Sequence, residues 1–256
     1  MRKAKLNHII PELERVPGGR LEFEWDDIQY LINNCSIDKN FSKFIQNKSI
    51  ILVGPSPYMT NHERGNWIDS HDIVIRMNKS FPILKEHFKY IGSKTDVRWH
   101  CMNTYPRHGG PYFIKEMKEK NVKWLCSQFP NNLDYFHNDH LAFENQNKSN
   151  INFHTWTDLE QYLTYHHFLG TRMNTGTACV LDLLNYDFKS LHITGITFFR
   201  EGWIDGYKEK DYKATEDKSI QFGNHAMAPQ IKLFRLIYKN NSNVTFDDEI
   251  IKIITE

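Results

Sequence analysis

The sequence predicts an α/β protein with a mostly parallel sheet covered by helices on both faces. Three observations carry that expectation. Short apolar runs of strand length recur along the chain, and helix-forming stretches stand between most of them. Alternation of this kind implies crossover connections, which bring neighbouring strands parallel. The 256 residues, 40% hydrophobic and 25% charged, are enough for one α/β domain with a full core, or for two small ones.

Residues 1–20 read as an arm ending at Pro17-Gly18-Gly19. Mixed apolar spacing over 24–46 gives one or two helices. "SIILVG" at 49–54 is a buried strand closed by glycine, "DIVIRM" at 72–77 a second, and "TDVRWHCM" at 95–102 a third. A helix over 111–120 leads to a strand at 122–127. A polar helix over 133–148 follows, then a strand at 151–156. Helices are expected over 158–169 and 175–186, and a buried strand over 191–199. Charge, glycine and aromatics over 200–220 break the pattern and suggest a lid. An amphipathic helix over 228–240 precedes a short strand, "VTF", and a closing "EIIKII". The division expected is 1–48 as arm and packed helices, and 49–256 as the main domain.

The formal net charge of +1 supplies no general field for nucleic acid or membrane. The first residues carry charge without a continuous apolar segment, so neither a signal peptide nor a membrane span is expected. The four cysteines, Cys35, Cys101, Cys126 and Cys179, fit neither a zinc knuckle nor a dense disulfide framework, and buried free thiols are expected. The dinucleotide fingerprint, the phosphate-loop motif and the G-x-S-x-G elbow are all missing. No metal-ligand spacing and no D-x-D pair occurs, so no metal is expected.

Ligands of parallel sheets bind beyond the carboxyl ends of the strands. That rule singles out Gly54-Pro55-Ser56, Asn78 and the loop after 191–199. Gly54 permits either a close ligand approach or a tight turn. Ser56 offers a hydroxyl. Asn78 either caps its strand or reads a base, sugar or phosphate. Arg76 makes a buried pair or reaches a phosphate. Asn174 or Thr175 caps the helix that follows, and Gly176 opens access to amides that favour an anion. His225, in a loop before the final amphipathic helix, is a candidate general base. His192 lies in an apolar strand and reads as core.

Taken together these residues resemble the eukaryotic-type sialyltransferase family. Val53-Gly54-Pro55-Ser56, followed by Ile68 through Asn78, is similar to the family's long motif, V-G-N-S and then I-D-S-H-D-x-V-I-R-M-N. Gly92-Ser93-Lys94-Thr95 resembles its close. Asn174-Thr175-Gly176, with 191–195, resembles the short motif. His225 followed by Gln230 resembles the last motif's histidine and glutamate. The resemblance implies a single Rossmann-like domain of the modified GT-A type and a CMP-sialic acid donor, with no cofactor. It implies metal-independent, inverting transfer to a glycan acceptor. Gly54, Ser56 and Asn78 would line the nucleotide site. Asn174, Thr175 and Gly176 would approach the phosphate or the sugar carboxylate. His225 would take the acceptor's proton. Tyr207, with Trp203 and Tyr212 nearby, stands where the family's third motif would shape the acceptor side, and Glu201 or Asp205 could assist.

Three positions depart from the family. Pro55 replaces asparagine, Asn174 replaces a hydroxyl residue, and Gln230 replaces glutamate. Ile50 and Ile51 stand where a cysteine opens the long motif, so the family's disulfide staple is not expected. Its loss suits a reducing compartment and points to a bacterial or viral member, cytoplasmic, with membrane contact only through its acceptor. A related 3-deoxy-octulosonate transferase and an inactive nucleotide- or glycan-binding homologue are the alternatives.

Overall fold

The computed structural model describes residues 22–256 apart from 107, 132–133, 149 and 208–225; for 134–136 it describes the backbone alone. The strands are β1 (Ser49–Val53), β2 (Ile73–Met77), β3 (Val97–His100), β4 (Trp124–Pro130), β5 (Asn152–Trp156), β6 (Ser190–Thr194) and β7 (Val244–Phe246). Among the described residues they form one sheet in the order β5-β4-β3-β2-β1-β6-β7, every neighbouring pair parallel. The order runs outward from β1 to β5, then reverses to place β6 on the other side of β1. The α/β class and the parallel sheet stand as read.

The helices follow the crossovers: α1 (Trp25–Asn33), α2 (Lys39–Ile45), α3 (Gly65–Asp69), α4 (Phe88–Ile91), α5 (Ile114–Glu119), α6 (Asp134–Gln146), α7 (Leu159–Leu169), α8 (Thr175–Leu183), α9 (Met227–Asn240) and α10 (Asp248–Thr255). Polar caps fix several starts. The Asp38 carboxylate accepts from the Asn40 and Phe41 amides, Asp158 from Gln161, and Asp247 from Ile250. β1 shows why a continuous apolar run was required. Ile50 and Leu52 feed the main core with Phe41, Ile45 and the buried face of α8, while Ile51 and Val53 face a smaller cluster with Val74, Ile91 and Ile204. Successive side chains point to opposite faces, so a strand covered on both must be apolar throughout.

Several boundaries differ from the sequence reading. The strand expected over 191–199 ends at Thr194, because Gly195 turns the chain at φ +75°. The helix expected from 111 starts at Ile114, after Phe113 in the left-handed region. The helix expected to reach 186 ends at Leu183. The short α3, inside the long motif, was not foreseen. None of the four cysteines is in a disulfide, but only Cys126 and Cys179 are buried; Cys35 and Cys101 are half-buried. His192 is not a core residue. It is half-buried, with Nδ1 2.9 Å from the Thr245 hydroxyl and its ring edge-on to Trp67.

Candidate active site

Of the residues singled out by the sequence, Gly54, Ser56, Asn78, Asn174, Thr175, Gly176 and Tyr207 lie around the carboxyl edge of the central strands, in two groups. Asn78 directly follows β2 at φ +48°, a left-handed conformation that asparagine tolerates better than most residues. Its side chain bridges two elements. Nδ2 donates to the Thr175 hydroxyl oxygen at 3.1 Å, and Oδ1 accepts the Cys101 amide at 2.8 Å. Thr175, the first residue of α8, donates its own hydroxyl to Gln128 Oε1 at 2.6 Å. Gln128 is nearly buried on β4. Nothing in the sequence around Gln128 marked it, since a polar pair inside a strand reads as a strand end. Burial pushes the Tyr207 phenol above its ordinary pKa, against the effect of a hydrogen bond with the Asn78 side chain. Asn78, Thr175, Gln128 and Tyr207 are therefore one uncharged polar cluster.

A second group lies where the sheet order reverses. Gly54 and Gly195 leave β1 and β6 in contact: a methyl group at Gly54 would come within 2.1 Å of the Gly195 carbonyl oxygen. The glycine freedom at Gly54 is spent on this crossing of two turns. Ser56 donates its amide to the Gly195 carbonyl at 3.1 Å and its hydroxyl to Glu201 Oε2 at 3.1 Å. The Gly195 amide in turn donates to the Tyr58 hydroxyl oxygen at 2.6 Å, and Tyr58 donates to Asp247 Oδ2 at 2.6 Å. Thr194 also donates to that carboxylate. The cap of α10 thus holds the turns after β1 and β6 together. Burial, with the Asp247 charge second, pushes the Tyr58 phenol well above its usual pKa, so it stays a donor.

Asn174, not Thr175, caps α8, accepting the Thr177 amide at 2.8 Å. The Asn174 amide donates to Oε1 of the fully buried Gln230 at 3.1 Å. The glutamine that stands where the family has glutamate therefore ties α9 to the start of α8. Gly176 is buried, and a methyl there would meet Ile196 Cδ1 at 3.0 Å and Met77 Sδ at 3.2 Å. Arg76 neither pairs with an acid nor reaches out to the site. Its buried guanidinium donates to the carbonyls of Lys94 and Ile91 and to the Thr95 hydroxyl, bracing the close of the long motif. His225, Tyr212 and most of the expected lid lie outside the described residues. Among the described residues, no group of three or more His, Cys, Asp or Glu side chains could hold a metal ion. No helix among them is long and apolar enough to cross a membrane.

The model of glycosyltransferase family 29 (sialyltransferase) matches residues 28–197, about two-thirds of the chain. The chain belongs to that family. It is a CMP-sugar-dependent glycosyltransferase of the sialyltransferase type, acting on a glycan acceptor. Among solved structures this family 29 chain is similar to a mammalian sialyltransferase in complex with Gal-beta-1-3GalNAc-ortho-nitrophenol. The identity is 15%, the match covers 95% of this chain and 85% of that one, and the TM-score is 0.53. It is also similar to the sialyltransferase CstII from Campylobacter jejuni, in complex with cytidine-5'-monophosphate. There the identity is 14%, the coverage 78% and 80%, and the TM-score 0.49. The first likeness carries the fold alone. No curated protein sequence matches the chain.

Proposed function

We propose that this protein transfers sialic acid from CMP-sialic acid to a glycan hydroxyl with inversion at the anomeric carbon, and that His225 is the general base. The acceptor oxygen attacks the anomeric carbon from the face opposite the phosphate. The bond to the phosphate oxygen breaks, CMP leaves with the bonding electron pair, and His225 takes the hydroxyl proton. Negative charge grows on the phosphate, so donors fixed in advance at that point lower the barrier.

The observation that supports this reading is the 3.1 Å hydrogen bond from Asn78 to Thr175. It joins Asn78 of the long motif to Thr175 of the short motif, the first residue of helix α8. The helix dipole and the uncharged donors around it favour an anion there. Gly54, Ser56 and Tyr207 complete the nucleotide side of the proposal, and Asn174 and Gly176 shape the helix start. Four cysteines without a disulfide go with a cytoplasmic location, to be checked by fractionation of cells expressing the protein.

Calorimetric titration with CMP, beside UMP and GMP and with or without EDTA, tests the donor assignment. Selective CMP binding that ignores EDTA is expected; absence of CMP binding would sink it. In His225→Ala, turnover should fall at least about a hundredfold, within the usual range for a general base, while CMP still binds. Product analysis with CMP-sialic acid and CMP-3-deoxy-octulosonate then fixes the sugar.

A further inference from the structure

Arg98 of β3 is a fully buried cation set against the main chain of Asn78. Its Nε donates to the Asn78 carbonyl oxygen at 3.0 Å. Nη1 donates to the Tyr112 carbonyl, and Nη2 to those of Pro111 at 2.8 Å and Gly109 at 3.4 Å. The guanidinium carbon lies 5.3 Å from the centre of the Phe113 ring and 5.9 Å from that of Phe81. Carbonyl oxygens and aromatic rings therefore surround the charge, and among the described residues no carboxylate forms an ion pair with it. Arg76, its partner in register on β2, is equally buried, but there the Asp69 and Asp96 charges offset part of the burial cost. Glu116 of α5 acts on Arg98 from beyond ion-pair distance.

The charge is felt at the candidate site. Burial raises the pKa of the Tyr207 phenol, and the Arg98 charge works against that rise. Burial holds the His100 imidazole well below its ordinary range, and the Arg98 charge lowers it further. A buried charge without a counter-ion is costly. The carbonyls offset part of that cost, yet neutral donors could serve carbonyls as well. What a neutral donor cannot supply is attraction for an anion, which a low-dielectric surrounding screens only weakly. The same side chain also fixes geometry. Arg98 holds the Asn78 carbonyl, while Thr175 and the Cys101 amide hold the Asn78 side chain, so the left-handed turn at φ +48° is gripped from main chain and side chain together.

We propose that Arg98 is a positioning residue of the transfer: it fixes the Asn78 turn, and its unpaired charge draws the anionic part of the donor to that turn without touching it. The inference rests on the transferase reading above.

Calorimetric titration of the full chain with CMP and with cytidine tests it, because the ratio of the two affinities isolates the phosphate. Wild type should prefer CMP by at least about tenfold. In Arg98→Met the preference should fall at least about fivefold, with thermal melting as a fold control, while Arg98→Lys, which keeps the charge, should hold it within about threefold. A purely structural role would weaken both ligands alike and leave the ratio unchanged. A smaller fall in Arg98→Met overturns the proposal, and so does loss of the preference in Arg98→Lys. A second arm needs no variant. Between 50 and 500 mM NaCl the wild-type ratio should change by less than about threefold, since a buried charge is little screened. A larger fall would assign the attraction to exposed cations and overturn the proposal, and this arm decides if Arg98→Met does not fold. Binding of neither ligand by wild type overturns the donor reading and this inference with it; binding with an unaltered ratio in Arg98→Met overturns this inference alone.

Discussion

Helix α8 carries two polar environments about two turns apart, and they are opposites. At its amino end Thr175 meets Asn78 and Gln128, all uncharged. Farther along, Asp182 is sealed against His154, with Oδ2 2.7 Å from Nε2, while Asp38 takes the other ring nitrogen at 3.1 Å. His154 is fully buried and stacks on Phe41 at 4.3 Å between ring centres. Burial works against its charge, but the Asp182 charge and the hydrogen bonds to both acids prevail and raise its pKa to about 9. The difference teaches how one helix holds charge at one end and neutral side chains at the other. At the Asp182 end the ions compensate one another and lock α8 to β5 and α2. At the other end the side chains are uncharged, which suits the anion site proposed there, at the positive end of the helix dipole.

The strongest way to break the comparison is at the charged end. Asp182→Asn leaves a buried imidazolium short of a counter-charge and should cost about 3–5 kcal/mol, a fall of roughly 10 °C or more in Tm. CMP affinity of the folded protein should stay within twofold. Preserved stability would mean that the cluster is not ionic. The same cluster predicts a pH response. His154 has a folded pKa above its ordinary 6.5, so its contribution is complete below pH 6.5 and is lost as pH rises through about 9. At about 1.4 kcal/mol for each tenfold in proton affinity, the loss is on the order of 3 kcal/mol. Urea denaturation at pH 6, 8 and 10 should show this decline, and a flatter one in His154→Gln.

At the open end the effects fall on binding. Asn78→Asp keeps the left-handed backbone and the bond from Cys101 but places a carboxylate where the anion is expected. CMP affinity should drop at least about tenfold, or 1.4 kcal/mol, and unchanged calorimetry would refute the placement. Tyr58→Phe leaves the Gly195 amide without its acceptor, at about 1–3 kcal/mol. Part of that loss should appear as weaker CMP binding, because Tyr58 braces the turns after β1 and β6. Thr175→Ser keeps the hydroxyl. Both melting and CMP affinity should change by less than about 0.5 kcal/mol, which separates the role of the hydroxyl from that of the methyl.

The elements of the sheet were legible because doubly covered strands must be apolar and because Gly54 punctuates the end of β1. The contact between Asn78 and Thr175 in the candidate site was foreshadowed, since strand and helix termini announce themselves. The interior of the site was not. Gln128 is one of two adjacent polar residues in β4, and nothing local says that it faces Thr175 across the sheet. The Tyr58–Asp247 bond spans 189 residues, and an aspartate before a helix already has a sufficient explanation as a cap. The end of β6 was misread because "ITFF" is as apolar as the strand it follows, so only the φ of Gly195 ends the pairing.

That long-range bond has a consequence for synthesis. The carboxylate that Tyr58 needs is translated 189 residues after it. A ribosome-bound chain that has formed β1, β2 and α8 has much of the proposed nucleotide site but not the brace on its turns. Nascent chains released before Asp247 should fail to stay on a CMP affinity resin that retains the finished protein.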